Sequence, residues 1–448
     1  MKNRRLFTRL YIALAFLFLA GCDINRKEIM TQDPIASGQE LSIYVATDIH
    51  YLSKKIIDDG LAFQTYYTKG DGKQLNYVEE IVDSFLYETA NNKPNILILS
   101  GDLTSNGEKD SHIDLASKLT KLEDTSNTRI FVIPGNHDIQ NPWARGFLGE
   151  KQYVTEGISS KEFAKIYQDF GYDEAISRDD SSLSYLVAPS EDIWLLMLDT
   201  CVYKNNYKYG SPAAYGQIED KTFEWIRECS EMAKNKNAKI VTVMHHNLLR
   251  HNLVLNYGYT LDNYEEAIKV LKECGINLVL SGHIHAQDIK SDKDEMNPIY
   301  DIVTSSLLVH PVQYGKLTYL PKHGFEYNTA QVDVEGWANK NGISDENLLN
   351  FREYNQNFFS SSSSRRAYNR LTETGLYSEE EIKLMIETMN LLNLNYFAGT
   401  IHSARDEIIK TKGYQLWEKA VEPESLKDYI RSMMHDSGIE SDALYLPE

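Results

Sequence analysis

The chain contains 448 residues, of which 42% are apolar, so it has room for two or three domains that each bury a core. Its formal net charge of −19 argues against a nucleic-acid polymer as partner, because such polymers are bound by Lys and Arg side chains that neutralise phosphates. A small phosphorylated substrate remains compatible with this charge, because bound cations can reverse the local field.

The N-terminus has the pattern of a processing signal. Basic residues precede an apolar stretch over residues 10–20, which is too short to span a bilayer comfortably. The stretch ends in Leu19-Ala20-Gly21-Cys22, which resembles a bacterial lipobox. The resemblance implies a signal peptide over residues 1–21, acylation of the Cys22 thiol and a tether over residues 22–40. We therefore expect an exported lipoprotein that Cys22 anchors to a membrane, on the bacterial cell surface or the periplasmic face. An uncleaved anchor or an ordinary secretory signal would also lead to export.

From Leu41 onward, short apolar runs alternate with amphipathic helix patterns. Such runs are typical of buried strands, and their alternation with helices indicates a layered α/β sheet system. The predicted strands cover residues 41–47, 96–99, 130–133, 193–198, 239–244 and 277–280. The predicted helices cover residues 77–91, 112–122, 160–170, 221–235 and 264–274. The segment between His50 and Tyr77 is interpreted as a long loop that could cover a substrate.

The pattern changes after Pro298. Two further strands, over residues 299–305 and 325–334, complete a domain that we expect to cover residues 41–341. Beyond it, Ser378 and Glu381 form a predicted capping box, Ser425 begins another predicted helix, and the serine run 360–364 indicates a loop or a helix boundary. Residues 342–448 are therefore expected to form an all-helical C-terminal domain, whose role the sequence leaves open.

Polar residues directly follow five of the predicted strands. In an open α/β sheet, the carboxyl ends of the strands form the edge where ligands bind. His283 and His285 stand at positions i and i+2, so an extended backbone would point both side chains the same way. The groups after the five strands are Asp48 with His50, Asp102, Asn136 with His137 and Asp138, His245 with His246, and His283 with His285.

These side chains suit a site for two metal ions. Carboxylate, imidazole and amide oxygen ligands favour borderline divalent ions such as Mn, Fe, Zn or Co, and no thiolate takes part. Two ions about 3.5–4 Å apart need one ligand that reaches both, and Asp102 is the natural bridge. Gly101, Gly135 and Gly282 precede ligands, and we expect them to permit sharp turns by adopting positive φ.

The ordered motifs D-x-H, G-D, G-N-H-D, H and G-H-x-H over residues 41–309 resemble the calcineurin-like metallophosphoesterases, most closely the bacterial class III cyclic-nucleotide phosphodiesterase branch. The resemblance implies a four-layer α-β-β-α sandwich with two divalent or mixed-valence metal ions (Mn, Fe or Zn). Carried over residue by residue, one ion takes Asp48, His50, Asp102 and His285. The other ion takes Asp102, Asn136, His245 and His283.

The resemblance also assigns roles around the metals. His137 is not a ligand in this pattern; it lies near the leaving-group oxygen, and Asp138 is expected to orient it. A metal-bridging hydroxide would attack phosphorus in line, and His137 would assist departure of the alkoxide. His245 is favoured over its neighbour as the metal ligand. The candidate substrate contacts are His246, Asn247 and His251.

Differences between this sequence and other phosphatases of the same superfamily exclude some classes of enzyme. Ser105 stands three residues after Asp102, where purple acid phosphatases carry a tyrosine ligand, so no tyrosinate–iron centre is expected. The arginines with which phosphoprotein phosphatases clamp phosphate have no clear counterpart, and Arg145 is the nearest basic candidate. The sequence therefore gives little support to a protein phosphatase.

The expected function is an exported, metal-dependent phosphodiesterase that hydrolyses small phosphodiesters such as cyclic nucleotides. A phosphomonoesterase such as a nucleotidase remains an alternative, because the pocket wall rather than the metal ligands decides whether a second ester group fits. A catalytically silent surface-binding lipoprotein is a further alternative, but such drift would be expected to erode His137 or a ligand, and none is eroded. The sequence leaves the oligomeric state open.

Overall fold

The computed structural model describes residues 33–254, 257–292, 294–434 and 440–448 of the chain. The expected signal peptide (residues 1–21) and Cys22 lie outside the described residues. Within those ranges, no helix combines the length and the apolar character that crossing a membrane requires.

The strands of the described residues form two large sheets and one small hairpin sheet. Strands such as Ile96–Ser100 and Ile193–Leu198 are fully buried, as strands between two covering layers are. Strands β1 to β15 are, in chain order, Leu41–Ala46, Ile96–Ser100, Arg129–Ile133, Arg145–Leu148, Lys151–Val154, Ser177–Arg178, Tyr185–Val187, Ile193–Leu198, Lys239–Met244, Leu278–Ser281, Asp288–Ser291, Tyr300–Val303, Gln313–Leu320, Gly324–Gln331 and Ala443–Pro447.

Strand order explains why the polar residues after the strands come together. The first large sheet has the order β15-β14-β13-β1-β2-β3, and the second has the order β11-β12-β10-β9-β8-β7-β6. Strands β1, β2 and β3 run parallel to one another. Strands β8, β9, β10 and β12 are also parallel. The carboxyl ends of the parallel strands in each sheet therefore lie at one edge of that sheet.

The helices cover the outer faces of the sheets and form the C-terminal region. Short 3-10 segments occur at Lys54–Ile56 and Leu75–Tyr77, and a π-type turn occurs at Gln168–Tyr172. Helices α1 to α14 are, in chain order, Leu61–Lys69, Val78–Asn92, Lys109–Ser126, Ser160–Ile166, Asn206–Tyr209, Asp220–Lys234, Tyr264–Glu273, Val334–Lys340, Glu346–Leu349, Phe351–Thr374, Glu379–Ala398, Ile401–Lys410, Lys412–Lys419 and Glu424–Met433.

Strand β8 shows how the layers are held together. Leu195 and Met197 belong to the core that both sheets share. Leu196 and Leu198 belong to a second core, where they join Phe223 of α6 on the outer face of the sheet. Full burial of such side chains contributes about 1.5–3 kcal/mol each, so the period-2 pattern stabilises both layers. The expected mixed α/β sandwich is thus confirmed.

Helices α10 to α14 have a core of their own around Trp417. This side chain is 1% exposed, and its Nε1 donates a hydrogen bond of 2.8 Å to the carbonyl of Met385. The expected C-terminal helical region is confirmed, and the expected boundary at residue 342 falls in the turn between α8 and α9. The region is not helical throughout, because β15 adds to the first sheet by pairing antiparallel with β14.

Two local expectations were wrong, and one strand was missed. The serine run 360–364 lies inside α10, where the Ser361 hydroxyl donates to the carbonyl of Asn357 at 2.6 Å and the Ser363 hydroxyl donates to Asn390 Oδ1 of α11 at 3.1 Å. Packing against α11 therefore overrides weak helix propensity. The segment between His50 and Tyr77 contains the helix α1 rather than only a loop, and strand β13 was not predicted.

Candidate metal centre

The seven predicted metal ligands converge where β1, β2, β3, β9 and β10 end. Their ligand atoms form two groups in which all atoms lie within 4.8 Å of one another, and Asp102 belongs to both groups. The Asn136 amide joins the second group, because its Oδ1 lies 3.1 Å from His245 Nε2. The first group is Asp48, His50, Asp102 and His285, and the second is Asp102, His245 and His283.

Positive backbone φ angles orient these ligands. Non-glycine residues rarely adopt positive φ, and each instance costs about 1–3 kcal/mol. The structure nevertheless has φ of 50° at Asp48, 44° at His50, 48° at Asp102, 72° at His283 and 59° at His285. Such strain persists only where the surrounding structure fixes it, and it clusters at functional sites.

The glycines before the ligands act differently from the expectation. Gly101 has a φ of 97°, as predicted. Gly135 and Gly282 are not among the positive-φ residues, so the expected reason is wrong for both. They are required by close approach instead, because a Cβ at Gly135 would lie 2.1 Å from the backbone N of Asp102. A Cβ at Gly282 would lie equally close, at 2.1 Å, to Thr47 Oγ1.

The first ligand group has the donors that a metal ion needs. Asp48 Oδ2 accepts hydrogen bonds from Thr47 Oγ1 and from the backbone N of His283, each at 2.8 Å. Asp48 Oδ1 is buried and has no hydrogen-bond partner among the described residues. It lies 3.2 Å from His285 Nε2, which in turn lies 3.1 Å from His50 Nε2. A buried carboxylate oxygen of this kind fits a cation.

The second ligand group is oriented by backbone carbonyls. His245 Nδ1 donates to the carbonyl of Ser100 at 3.0 Å, which directs Nε2 towards Asp102 Oδ1 at 3.5 Å. His283 Nε2 donates to the carbonyl of Gly258 at 2.8 Å, which leaves Nδ1 for a metal. Such outer partners fix the tautomer and orientation of metal-binding histidines.

Charge at the centre favours cations. Burial raises the pKa of the Asp102 carboxyl, but the His245 and His137 rings outweigh burial and hold this pKa well below its usual range. Burial lowers the pKa of His245, and the Asp102 carboxylate reverses that effect and raises the pKa to about 9. In the metal-free protein a proton on His245 therefore pairs with Asp102, and metal binding displaces that proton.

His137 lies beside the ligands and faces the opening. Its Nδ1 donates to the carbonyl of Ser105 at 2.8 Å, and its Nε2 lies 4.0 Å from Asp102 Oδ2. Its side chain is 21% exposed, whereas those of Asp48 and His50 are fully buried. Burial lowers the pKa of His137 to about 4, so the ring is neutral at pH 7 in the metal-free protein. A substrate can reach this ring.

The expectation that Asp138 orients His137 is wrong. Asp138 Oδ2 accepts hydrogen bonds from the backbone N of Gly135 at 2.8 Å and of Leu103 at 3.0 Å. Asp138 Oδ1 accepts from the backbone N of Thr104 at 2.9 Å and from its Oγ1 at 2.8 Å. The carboxylate therefore ties the loops after β2 and β3 together. The carbonyl of Ser105 takes the orienting role instead.

The structure places the three candidate substrate contacts behind the ligands. His246 is fully buried, with Nδ1 2.8 Å from Thr200 Oγ1. Asn247 is 1% exposed, and its Nδ2 donates to the carbonyl of Gly282 at 2.8 Å. The expectation that His251 contacts the substrate is wrong, because its two ring nitrogens pair with Asp288 at 3.0 Å and Asp301 at 3.1 Å.

Lys73 is a cation near the centre that the sequence analysis missed. Burial is the largest cause that lowers the pKa values of His50 and His137, and the Lys73 charge lowers both further. Lys73 directly follows Gly72, whose φ of 84° turns the chain. Arg145, the basic candidate from the sequence, instead donates from Nε to the carbonyl of Trp143 at 2.6 Å.

Comparison with known proteins identifies the family to which this chain belongs. Residues 41–287 match the model of the calcineurin-like phosphoesterases, and this range contains all seven ligands and His137. The chain belongs to the calcineurin-like phosphoesterases. Residues 333–439 match a second model, the C-terminal domain of cyclic nucleotide phosphodiesterase. The resemblance that the motifs indicated is confirmed.

Two curated relatives carry phosphodiesterase names. The 3′,5′-cyclic adenosine monophosphate phosphodiesterase of Haemophilus influenzae is 25% identical over 203 residues, which are 45% of this chain and 58% of that protein. A probable cyclic nucleotide phosphodiesterase of Coxiella burnetii is 24% identical over 193 residues, 42% of this chain and 60% of that protein. The chain therefore spans less than two thirds of the length of these relatives.

Solved structures of low sequence identity also resemble the chain. A dimetal phosphatase from Danio rerio is 13% identical, with a TM-score of 0.43 over 66% of this chain and 96% of that protein.

Removing the shared carboxylate should empty both metal positions. We expect wild type dialysed against Mn to retain two ions per chain, Asp102→Ala to retain fewer than one, and Asp48→Ala to retain about one, because Asp102 alone belongs to both ligand groups. Elemental analysis of the dialysed proteins measures this. Asp124→Ala, at an exposed position of α3, is the matched control and should retain both ions. Two tightly held ions in Asp102→Ala would contradict the shared-ligand assignment.

The pairing of His251 should appear as pH-dependent stability. Burial lowers the pKa of His251, but Asp301 and Asp288 outweigh it and raise the pKa to about 9 from 6.5. A raised pKa contributes stability that is fully present below pH 6.5 and is lost as pH rises through about 9. The loss of unfolding free energy in His251→Asn should therefore be largest at pH 6 and shrink by pH 10.

Urea denaturation in the presence of a chelator measures this difference at each pH. The control is His323→Asn, at an exposed histidine, which should change the free energy of unfolding little at either pH. An effect of His251→Asn that is constant or grows with pH would refute the ion-pair explanation.

Proposed function

We propose that this chain is an exported, metal-dependent phosphodiesterase that hydrolyses small phosphodiesters such as cyclic nucleotides. The observation that carries the proposal is the pair of ligand groups sharing Asp102, with His137 exposed beside them. The choice of a diester is supported by the match of residues 333–439 to the C-terminal domain of cyclic nucleotide phosphodiesterase. The names of the curated relatives agree with this choice.

The donor set fits two borderline divalent ions such as Mn, Fe or Zn, held by the seven ligands in the two groups. When bound, such ions lower the pKa of water and stabilise charge on the phosphoryl oxygens. The side chains and backbone of the protein hold the ligand groups and His137 in place. Asp102 holds the two groups together, and the carbonyl of Ser105 keeps His137 Nε2 turned towards Asp102.

His137 and Lys73 are the groups that this chain offers to the substrate. A phosphodiester brings negative charge to His137, which favours its protonated form and lets Nε2 give a proton to the departing oxygen. The Lys73 ammonium adds a positive charge to the same side of the centre.

Export and anchoring belong to the same proposal. The basic residues, the apolar stretch 10–20 and Cys22 support a lipoprotein signal. A lipidated Cys22 would place the enzyme at a membrane surface, where it meets phosphodiesters outside the cytoplasm. A single acyl chain binds membranes only marginally, so stable anchoring requires a second membrane-binding signal besides one acyl chain at Cys22.

Substrate preference tests the catalytic proposal. The chain from Asp23 onward, stripped of metal and reloaded with Mn, should hydrolyse bis-p-nitrophenyl phosphate faster than p-nitrophenyl phosphate. His137→Ala should lower the rate with a 3′,5′-cyclic nucleotide by about 10²–10⁴, because its alkoxide leaving group needs a proton. The loss with the p-nitrophenyl diester should be smaller, because p-nitrophenolate departs without one.

The controls separate the outcomes of this assay. His323→Ala, at an exposed histidine, should retain full activity on both diesters. Faster hydrolysis of the monoester would move the protein to the phosphatases. Absence of hydrolysis with two bound ions would favour the binding-protein alternative.

Anchoring has its own test. In a bacterial host, the full-length chain should be recovered with membranes and should incorporate labelled fatty acid. Cys22→Ala should abolish the labelling, because the thiol is the predicted acylation site, whereas Cys201→Ala should leave it unchanged. Equal labelling of wild type and Cys22→Ala would refute the lipoprotein assignment.

A further inference from the structure

A cavity of about 230 Å³ opens directly beside the metal ligands His283 and His285. One wall is the loop that carries Tyr259. The opposite wall comes from the C-terminal helices α10, α11 and α14. The cavity thus joins the metal centre to the region whose role the sequence left open.

The C-terminal wall is fixed to the centre by hydrogen bonds. Gln287, two residues after His285, donates from its backbone N to the carbonyl of Phe397 at 3.2 Å, at the end of α11. On the other side, the Ser362 hydroxyl of α10 donates to the carbonyl of Gly70 at 3.0 Å. Gly72 packs so closely on α10 that a Cβ there would lie 2.8 Å from Phe359. The wall is therefore part of the site.

Flat rings form much of the cavity surface. The Tyr259 ring lies 5.2 Å from the His283 ring, measured between centroids, so it reaches from a metal ligand into the cavity. On the C-terminal side, the Phe397 ring contacts those of Phe359 and Tyr396 at 4.9 and 5.9 Å. Two aromatic surfaces on opposite walls suit a planar group between them.

The Asn393 amide adds a hydrogen-bonding group to the cavity lining. The Tyr429 hydroxyl donates to Asn393 Oδ1 at 2.8 Å, which fixes the amide of this buried lining residue. Among the described residues, no hydrogen-bond acceptor is paired with its Nδ2, so this nitrogen is available to a ligand. A fixed amide beside aromatic rings suits the edge of a heterocycle, whereas a lipid chain or a bare sugar would use only part of the surface.

The cavity is large enough for a base. Its volume of about 230 Å³ leaves room for one flat heterocycle such as a nucleobase. We infer that this cavity binds the base of a nucleotide substrate while its phosphodiester lies at the metal ligands. The inference rests on the proposed function and extends it, because it makes the C-terminal helices part of substrate recognition.

The test compares substrates that differ only in the base. Full-length, Mn-loaded protein is assayed with adenosine 3′,5′-cyclic phosphate and with the abasic ribose 3′,5′-cyclic phosphate. Stacking of one base is worth about 1–3 kcal/mol, so kcat/KM should favour the nucleotide roughly 5- to 150-fold. Phe397→Leu should lose most of this preference, with a much larger fall in kcat/KM for the nucleotide than for the abasic diester.

Phe358→Leu is the matched control. Phe358 lies on the same C-terminal helices, but its ring contacts Tyr67 at 6.3 Å and Tyr354 at 6.0 Å, outside the cavity. This variant should retain the base preference of wild type. Thermal unfolding of both variants checks that they fold, and Asn393→Ala serves as a second cavity variant with the same expected loss.

Binding to metal-free protein separates this inference from the proposed function. Calorimetry with adenosine 5′-monophosphate and ribose 5-phosphate should show tighter binding of the nucleotide, and Phe397→Leu should remove the difference. If neither diester is hydrolysed but this difference persists, the base site stands and the proposed function fails. Equal kcat/KM for both diesters in wild type, or equal loss on both in Phe397→Leu, would overturn the base site. In the absence of hydrolysis, equal binding of both monophosphates would overturn it as well.

Discussion

The buried carboxylate of Asp102 is the constraint around which the centre is built. A carboxylate that is 1% exposed must be paired with positive charge or with hydrogen-bond donors. Asp102 Oδ1 accepts from the backbone N of His137 at 2.8 Å and lies 3.5 Å from His245 Nε2. Its Oδ2 lies 3.8 Å from His50 Nε2. One side chain thus brings together imidazole rings from both sheets, and the positive-φ backbone beside it keeps the ligands turned towards it.

Two further buried carboxylates keep that strained backbone in place, one behind each sheet. Asp138 accepts hydrogen bonds from the loops after β2 and β3. Asp301 does the same behind the second sheet, where its Oδ2 accepts from the backbone N of Leu248 at 2.7 Å and its Oδ1 accepts from Ser281 Oγ at 2.7 Å. Unpaired buried polar groups are costly, so these satisfied networks hold the loops in one arrangement. The strain at the ligands is compensated by these networks.

The ligand residues could be predicted from the sequence because each follows a strand directly, and strand ends are visible as apolar runs before polar residues. The side chains that support them could not be predicted in the same way. Asp138 was assigned to its neighbour His137, but it also accepts hydrogen bonds from Leu103 and Thr104, which lie 35 and 34 residues away on another loop. Lys73 reaches the centre from a segment that shows no strand pattern. Such contacts depend on how distant segments pack, which local periodicity does not encode.

Chemistry and specificity therefore come from different parts of this chain. The match to the calcineurin-like phosphoesterases ends at residue 287, so it includes every ligand but none of the C-terminal helices. Gln287 stands at that limit, and its backbone N bonds the end of α11 while its Nε2 donates to the carbonyl of Ser441 at 2.8 Å. A change in the C-terminal helices can alter the cavity wall while the ligand set stays intact.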